Sequence, residues 1–478
     1  MLLTFQWPSR GVSERGALGL SAFLGLAALN GVSVLYNIVV GRALGRAPLG
    51  TLGAILSAAI FFSSLVSFTG SAASKYASLR KGEGRDPYAI AVPMLLLTLS
   101  LGNAVFLASL LLSDKISSIL GLAPPMIVLA GVVGALRGSF DSLRLLHLGL
   151  WETKRYLVLV LLAVIAFWAV VPIALRGGTA LLYPYITMYA VFLAASVTAL
   201  LRTSSRVDWN ILPVLKMSLF AGLGSIVSLL RYSLIPLLLN AVWGSVTAGG
   251  YVAASTIIRP FKAVPMLASQ VLLPYYSMRA GEGVLKSVHE VEFKELLLPA
   301  TSILFSLSLP LMGFVTAIIF GPQFSGLDPV SWLISLEVFL YSLNTMLLVM
   351  GVSYGRESLL LTVPLASMLV SAPLYAVLIG EGASGLALAL LLGTAVSHVL
   401  LLRAVLGGLG IFDVLHYLPP ALSATLSFLL WDRGLLGKLF TFVVVLASIL
   451  LVERTRLREL YHASLRAIGE ILWRRGGP

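Results

Sequence analysis

Long apolar stretches recur from one end of this chain to the other, and they constrain the fold more than any other feature. A helix needs about 20 consecutive apolar residues to cross the hydrocarbon core of a bilayer. The stretches are continuous rather than alternating, which is typical of membrane helices. We predict about fourteen transmembrane helices, near residues 17–41, 48–74, 89–112, 117–136, 156–175, 178–201, 213–240, 248–274, 295–320, 328–350, 358–380, 383–402, 413–431 and 435–452.

The composition also indicates a membrane environment. Of the 478 residues, 58% are hydrophobic and only 11% are charged, whereas soluble domains contain about 25% charged residues. A soluble fold cannot bury this much apolar surface and still present a polar exterior. The chain contains no cysteine, which excludes disulfide bonds and thiolate chemistry. The sequence therefore predicts an all-α polytopic membrane protein.

The positions of lysine and arginine predict how the chain is oriented. Most of the 33 Lys and Arg residues lie at the two ends and in the connections after even-numbered predicted helices. Cytoplasmic segments carry the excess of positive charge, so we predict a multi-pass protein of the cell membrane with both termini in the cytoplasm. The net charge of +13 then faces anionic membrane lipids rather than nucleic acid.

An internal repeat predicts two related halves. Residues 76–84 match residues 275–283 at most positions, and the same shift places Gly50 on Gly249 without a gap. Chance similarity between short Gly- and Ser-rich segments is the alternative. A parallel repeat normally encloses a substrate site between its two lobes. We predict an N-lobe of helices 1–6, a C-lobe of helices 7–12, helices 13–14 and a cytoplasmic amphipathic basic tail, over residues 1–205, 206–406, 407–452 and 453–478. The tail either anchors the C-terminus or has a regulatory role.

Several segments resemble a known family. They are VGRALGRAPLG at residues 40–50, GGYVAA at 249–254, FGPQF at 320–324 and MGVSYGR at 350–356. These segments resemble the helix ends of polysaccharide-export flippases, which belong to the multidrug, oligosaccharidyl-lipid and polysaccharide exporter (MOP) superfamily.

The resemblance implies two six-helix bundles around a V-shaped central cavity, followed by two additional helices. It also implies a monomeric transporter that moves polyprenyl- or dolichyl-(pyro)phosphate-linked oligosaccharide across the cytoplasmic membrane. Its partners would be the lipid-linked oligosaccharide and glycosyltransferases of the same pathway.

Charged residues within predicted membrane helices are the candidate site. A cation at bilayer depth costs several kcal/mol and usually marks a cavity or pathway. Arg231 and Arg259 lie at similar depths on helices 7 and 8, Lys262 follows on the same face, and Glu337 enters on helix 10. An excess of positive charge suits a (pyro)phosphate linker, which Arg binds through bidentate hydrogen bonds. Alternatively, Glu337 pairs with one arginine to hold helices together while Lys262 snorkels. Glu337 is interpreted as a counter-ion rather than a proton carrier.

Two further sets of charges are weaker candidates. Arg137, Asp141 and Arg144 share one helical face at the predicted inner end of helix 4, where they form either an inner gate or a surface ion pair. Arg42 lies at the outer end of helix 1, where it either lines the mouth of the cavity or contacts lipid headgroups.

No motif predicts catalysis, a cofactor or a metal. Residues 434–439 lack the spacing and the Ser/Thr of a phosphate-binding loop, and the five histidines are scattered. The chain is therefore predicted to be a transporter without enzymatic activity. The alternative is a cation-coupled multidrug or toxin antiporter of the same superfamily. Such antiporters often use a carboxylate in an N-lobe helix, and predicted helices 1, 2, 3, 5 and 6 contain neither Asp nor Glu.

Overall fold

A computed structural model describes residues 12–82, 85–120, 122–150, 152–203, 207–209, 212–281, 290, 293–356, 358–408, 411–430 and 437–452. Within these ranges the regular structure is helical, and no strand occurs. The α-helices are α1 Val12–Leu44, α2 Arg46–Gly82, α3 Ala91–Leu111, α4 Ser113–Leu120, α5 Pro124–Gly149, α6 Thr153–Ala174, α7 Tyr183–Thr203, α8 Leu212–Gly281, α9 Leu298–Ser308, α10 Met312–Phe320, α11 Asp328–Ser353, α12 Leu359–Leu378, α13 Gly382–Leu401, α14 Ile411–Leu415, α15 Leu418–Leu429 and α16 Gly437–Val452.

The described helices confirm an all-α polytopic membrane protein. Ten helical stretches are long and apolar enough to cross a bilayer. Two of them contain two helices each: Gly222–Ile258 is broken at Gly244, and Leu359–Leu406 contains both α12 and α13. The first twelve predicted spans are therefore accounted for. The last two correspond to the shorter helices α15 and α16.

The fourth predicted span, residues 117–136, is wrong in its bounds. The structure places a separate short helix, α4, before this span and begins α5 at Pro124. Proline is well suited to the first turn of a helix, because the backbone N–H it lacks has no partner there. Helix α5 then continues to Gly149. Its polar residues near position 140 consequently lie inside the helix and not at its end.

Aromatic side chains hold α1 against α6 and α7. The ring of Tyr36 is fully buried and stacks edge-on against Phe167 and Tyr185, at centroid distances of 5.1 and 5.6 Å. Its hydroxyl donates a hydrogen bond of 2.7 Å to the carbonyl of Leu181. A buried phenol needs such a partner, so this contact determines the rotation of α1.

Helix α8 consists of two transmembrane segments joined at Gly244. This glycine has φ 79° and ψ 171°, a backbone conformation that only glycine adopts without strain. The chain reverses there, so residues 212–243 and 245–281 run in opposite directions. Arg231 precedes Gly244 and Arg259 follows it, and their distances from Gly244 along the chain differ by two residues. At about 1.5 Å of rise per residue, their depths differ by about 3 Å.

The two halves of the predicted repeat meet in a reciprocal contact. A Cβ on Gly50 would lie 1.8 Å from the carbonyl oxygen of Ser245, and a Cβ on Gly249 would lie 1.9 Å from that of Arg46. The sequence shift that aligns Gly50 with Gly249 also aligns Arg46 with Ser245. A two-fold axis that relates two repeats produces reciprocal contacts of this kind. Glycine is required at both positions, because the two backbones touch.

Further contacts join the same ends of these helices. The side-chain amide of Asn37 donates a hydrogen bond of 2.9 Å to the hydroxyl of Thr256, and both residues are buried. Arg42 donates hydrogen bonds to the carbonyls of Ile318 and Ile319 at the end of α10, at 2.8 and 2.5 Å. The predicted outer ends of α1, α2, α8 and α10 are thus closed against one another.

We expect Gly50→Ala to separate α2 from α8. A methyl group at this position overlaps backbone atoms, which cannot move aside as a flexible side chain can. Gly31→Ala is the matched control, because a Cβ on this helical glycine meets no atom within 4 Å. Thr256→Cys supplies a unique probe, since the chain contains no cysteine. Maleimide labelling of this cysteine should be several-fold faster with Gly50→Ala than with Gly31→Ala, and equal rates would contradict the contact.

The C-terminal helices are attached by polar contacts. The Lys438 ammonium on α16 donates a hydrogen bond of 2.8 Å to the carboxylate of Asp328 at the start of α11. The Ser423 hydroxyl on α15 donates one of 2.8 Å to the carbonyl of Ser306 on α9. Asp328 also lies at the N-terminus of its helix, where negative charge is favourable. Residues 453–478, the predicted basic tail, lie outside the described residues.

Candidate functional site

Three of the predicted membrane charges form one cluster. Arg231 comes from the first segment of α8, Lys262 from the second, and Glu337 from α11. A guanidinium nitrogen of Arg231 lies 3.7 Å from Glu337 Oε1, and Lys262 Nζ lies 3.8 Å from Glu337 Oε2. One carboxylate therefore contacts two cations from two transmembrane segments.

A tyrosine hydroxyl connects the arginine to the carboxylate. Arg231 donates a hydrogen bond of 2.6 Å to the Tyr232 hydroxyl, which in turn donates one of 2.6 Å to Glu337 Oε1. Thr394 on α13 donates a further hydrogen bond of 3.2 Å to the same oxygen. On α12, Tyr375 donates one of 2.9 Å to the carbonyl of Arg231. Helices α8 and α13 thus donate hydrogen bonds to the carboxylate on α11, and α12 holds the backbone of Arg231.

Two aromatic rings surround the lysine ammonium. Lys262 Nζ lies 3.3 Å from the ring centroid of Tyr232 and 4.1 Å from that of Tyr341. The two rings are perpendicular, with an interplanar angle of 89° and centroids 6.2 Å apart. Cations within about 6 Å of a ring centroid are attracted by its negative face. The lysine is therefore stabilised by two rings as well as by Glu337.

The three charges differ in exposure. The side chain of Glu337 is 1% exposed and that of Arg231 is 8%, whereas that of Lys262 is 26%. Arg231 Nε is buried without a hydrogen-bond partner among the described residues. Removing charges from water is costly unless they are paired, and here one carboxylate compensates two cations. The three side chains carry a net positive charge of one.

The structure combines features of both sequence-based interpretations. Arg231 pairs with Glu337 across helices, as the structural alternative proposed. Lys262 does not snorkel away, however, because it contacts Glu337 and lies against two rings. The backbone of Arg259 is helical, but its side chain lies outside what the structure describes. The assignment of these residues to an anion site therefore stays a prediction.

The remaining candidates lie apart from this cluster. Asp141 is 3.8 Å from Arg137 and 3.6 Å from Arg144, so the three residues of α5 form a local ion-pair triad. It lies about one to three helical turns before the end of α5 at Gly149, rather than at the predicted inner end. Arg42 is exposed, and its guanidinium is bound to the carbonyls at the end of α10. Cations favour that end of a helix.

Three residues of the cluster were missed by the sequence analysis. Tyr341 is one helical turn after Glu337, and Tyr232 follows Arg231 directly. Aromatic side chains at these spacings from buried charges are a usable signal, because Tyr supplies both a π face and a hydroxyl. Thr394 carries no such signal, since it lies on a helix without membrane charges.

A buried histidine extends the polar contacts away from Glu337. His398 on α13 makes hydrogen bonds of 2.7 Å to Asn344 Oδ1 through Nδ1 and of 2.7 Å to the Tyr417 hydroxyl through Nε2. The Asn344 amide donates one of 3.2 Å to the carbonyl of Thr394. His398 is therefore a structural link between α11, α13 and the turn before α15.

Two cavities lie outside the charged cluster. One, of about 240 Å³, lies between α2, α4 and α8 and is lined by apolar side chains together with Ser233. Phe61 and Phe62 of α2 face Leu234 and Leu237 of α8 across it. The other, of about 660 Å³, is a groove between α6 and α7 with Arg155 and Arg202 among its lining residues.

The fold is similar to that of several solved membrane transporters. The "Lipid II flippase MurJ, inward closed conformation" aligns with 93% of this chain and 99% of its own, with a TM-score of 0.70 and 13% identity. An inward-facing multidrug resistance MATE family transporter of the MOP superfamily aligns with 82% of this chain and 95% of its own, with a TM-score of 0.59 and 15% identity.

A third solved structure is a MOP superfamily transporter from Pyrococcus furiosus Vc1, described as having a binding pocket of reverse polarity that suggests a different function. It covers 85% of this chain and 96% of its own, with a TM-score of 0.54 and 15% identity. No protein-family profile matches the chain, and no curated protein matches it by sequence. At these identities the similarity establishes the fold and not the substrate.

Proposed function

We propose that this protein is a transporter that flips a lipid-linked oligosaccharide across the cytoplasmic membrane by alternating access. The observation that supports this function is the net positive cluster of Arg231, Lys262 and Glu337 within the membrane helices. An excess of buried positive charge requires an anion, and a (pyro)phosphate linker is the charged part of such a lipid. Arg259, Arg42 and the triad of Arg137, Asp141 and Arg144 are proposed to assist along the path.

The linker would meet the cluster from the side of Lys262. Among the three charges, only Lys262 has more than a tenth of its side chain exposed. Its ammonium supplies a compact charge on a flexible stem, whereas Arg231 is held behind it by Tyr232 and Glu337. We assign direct contact with the phosphate to Lys262 and to Arg259, which lies one helical turn before it.

The apolar cavity of about 240 Å³ between α2, α4 and α8 suits the first part of the substrate's hydrocarbon chain, and the rest of the chain stays in the membrane. Its walls are apolar apart from Ser233, and Leu230, which borders Arg231, is one of its lining residues. A lipid tail in this cavity places the linker beside the charged cluster while the sugar occupies the space between the lobes. The lobes then rock around the site, as transporters built from repeats do.

A cation-coupled multidrug antiporter is the second candidate function. The observation in its favour is the pairing of Glu337 with the faces of Tyr232 and Tyr341, which is chemistry that binds cations. In this structure Lys262 occupies that position. A cationic drug would therefore have to displace a residue of the chain, whereas an anion would be attracted by it.

Flipping of a fluorescent lipid-linked oligosaccharide in proteoliposomes tests the proposal. We expect Arg259→Lys to retain part of the activity, because the charge is conserved, and Arg259→Ala and Arg259→Glu to lose most of it. Size-exclusion profiles of each variant control for loss of folded protein. Full flipping by Arg259→Glu would contradict an anion site. Efflux of a cationic dye by the wild type, without flipping, would favour the antiporter.

A further inference from the structure

The pocket that holds the Lys262 ammonium has the walls of a cation-binding site. Tyr232 and Tyr341 present perpendicular rings at 3.3 and 4.1 Å, and Glu337 Oε2 lies at 3.8 Å. Aromatic faces combined with a carboxylate recognise ammonium groups, including alkylated ones, in unrelated proteins. We call these three side chains the ammonium cradle.

We propose that the ammonium cradle is an exchangeable site for a monovalent ammonium-type cation, and that Lys262 is its tethered occupant in this conformation. The cradle does not depend on the lysine for its shape. Glu337 is positioned by hydrogen bonds from Tyr232 at 2.6 Å and Thr394 at 3.2 Å. Tyr232 is itself held by Arg231 at 2.6 Å. Glu337 and Tyr232 therefore keep their positions when the lysine ammonium leaves.

The contact between lysine and carboxylate is suited to exchange. Lys262 Nζ is 3.8 Å from Glu337, beyond the usual hydrogen-bond range of about 2.7–3.2 Å. Two other lysine–carboxylate pairs are within that range, Lys438 with Asp328 at 2.8 Å and Lys294 with Asp413 at 3.1 Å. Lys262 also enters from the accessible side, with 26% of its side chain exposed against 1% for Glu337.

The role of such an exchange rests on the proposed function. A linker phosphate that draws Lys262 from the cradle leaves Glu337 with Arg231 alone and exposes both rings to the space that the ammonium occupied. A cation of the same chemistry then takes that space, between the two ring faces and the second oxygen of Glu337. Anion and cation would consequently each strengthen the binding of the other.

Thermal unfolding with methylammonium chloride tests the cradle. In Lys262→Ala the cradle lacks its occupant, and methylammonium should raise the apparent melting temperature by several degrees, saturably, beyond an equal concentration of sodium chloride. The wild type and the double variant Lys262→Ala/Glu337→Gln should show no such rise. Lys438→Ala is the matched control, because the lysine there has a carboxylate partner but faces the single ring of Phe314 at 5.8 Å, against two rings at 3.3 and 4.1 Å for Lys262.

The proposal is overturned if methylammonium and sodium act equally on Lys262→Ala, or if Lys438→Ala responds as strongly. Should Lys262→Ala unfold on extraction, the yield of monodisperse protein is compared with methylammonium or sodium present during solubilisation. Recovery by methylammonium alone supports the cradle, and the absence of recovery contradicts it.

A separate measurement distinguishes the cradle from the proposed function. Pyrophosphate affinity of the wild type should be several-fold higher in methylammonium than in sodium, because the two ions bind together. Unchanged affinity, with Lys262→Ala still stabilised by methylammonium, would retain the cradle and remove its coupling to the anion. If neither the wild type nor any variant binds pyrophosphate, the anion-transport proposal is contradicted. The cradle is then still supported by the stabilisation of Lys262→Ala by methylammonium.

Discussion

Replacing Arg231 with methionine should lower the stability of the protein by about 3–5 kcal/mol, the usual cost of breaking a buried ion pair. Arg231 and Glu337 are 8% and 1% exposed, so the carboxylate cannot turn to water when the arginine is removed, and only Lys262, at 3.8 Å, is left to compensate it. Methionine is chosen because it fills the space that the arginine side chain leaves. The measurement is the apparent melting temperature in detergent, followed by tryptophan fluorescence.

Compensating substitutions test whether the loss of stability in Arg231→Met comes from unbalanced charge. Adding Lys262→Met and Glu337→Gln to Arg231→Met leaves no charge in the cluster and should recover most of the loss. Arg144→Met is the matched control, since Arg144 also pairs with a carboxylate, at 3.6 Å, but that of Asp141 is 28% exposed. We expect a smaller effect there. A melting temperature unchanged by Arg231→Met would show that the pair contributes nothing.

Replacing Lys262 with alanine should lower the affinity for pyrophosphate roughly 10–100-fold. Hydrogen bonds to charged groups contribute about 1.5–3 kcal/mol, and each 1.4 kcal/mol is about tenfold in affinity. Lys262→Glu should abolish binding, because a second carboxylate beside Glu337 reverses the charge of the site. Lys262→Arg should bind within a few-fold of the wild type. Isothermal titration with pyrophosphate, beside the flipping assay, provides the measurement.

Lys438→Ala again serves as the control, since it removes a positive charge that is paired with Asp328 and distant from the cluster. Its pyrophosphate affinity should equal that of the wild type. An affinity loss in Lys438→Ala as large as that in Lys262→Ala would mean that total charge, and not the cluster, attracts the anion. Unaltered binding by Lys262→Glu would contradict the assignment of Lys262 to the anion site.

The energetics of lipid explain which features the sequence predicts. Apolar stretches of about 20 residues predict helices, because backbone groups in hydrocarbon must bond within their own segment. The same cost of burial singles out Arg231, Lys262 and Glu337 from their positions within apolar stretches. The correspondence of Gly50 with Gly249 is also visible in the sequence, since two backbones in contact require residues without side chains.

Only the tertiary structure shows which partners the charged residues in the membrane helices contact. Helix rotation brings Tyr232 and Thr394 onto one oxygen of Glu337 and places Tyr341 over Lys262. Hydropathy does not encode rotation in a bundle of uniformly apolar helices, because every face is compatible with lipid. For the same reason Arg42 could not be assigned to the end of α10 from its position in the sequence. The sequence determined that charges lie in the membrane, and the packing of helices determined which partners compensate them.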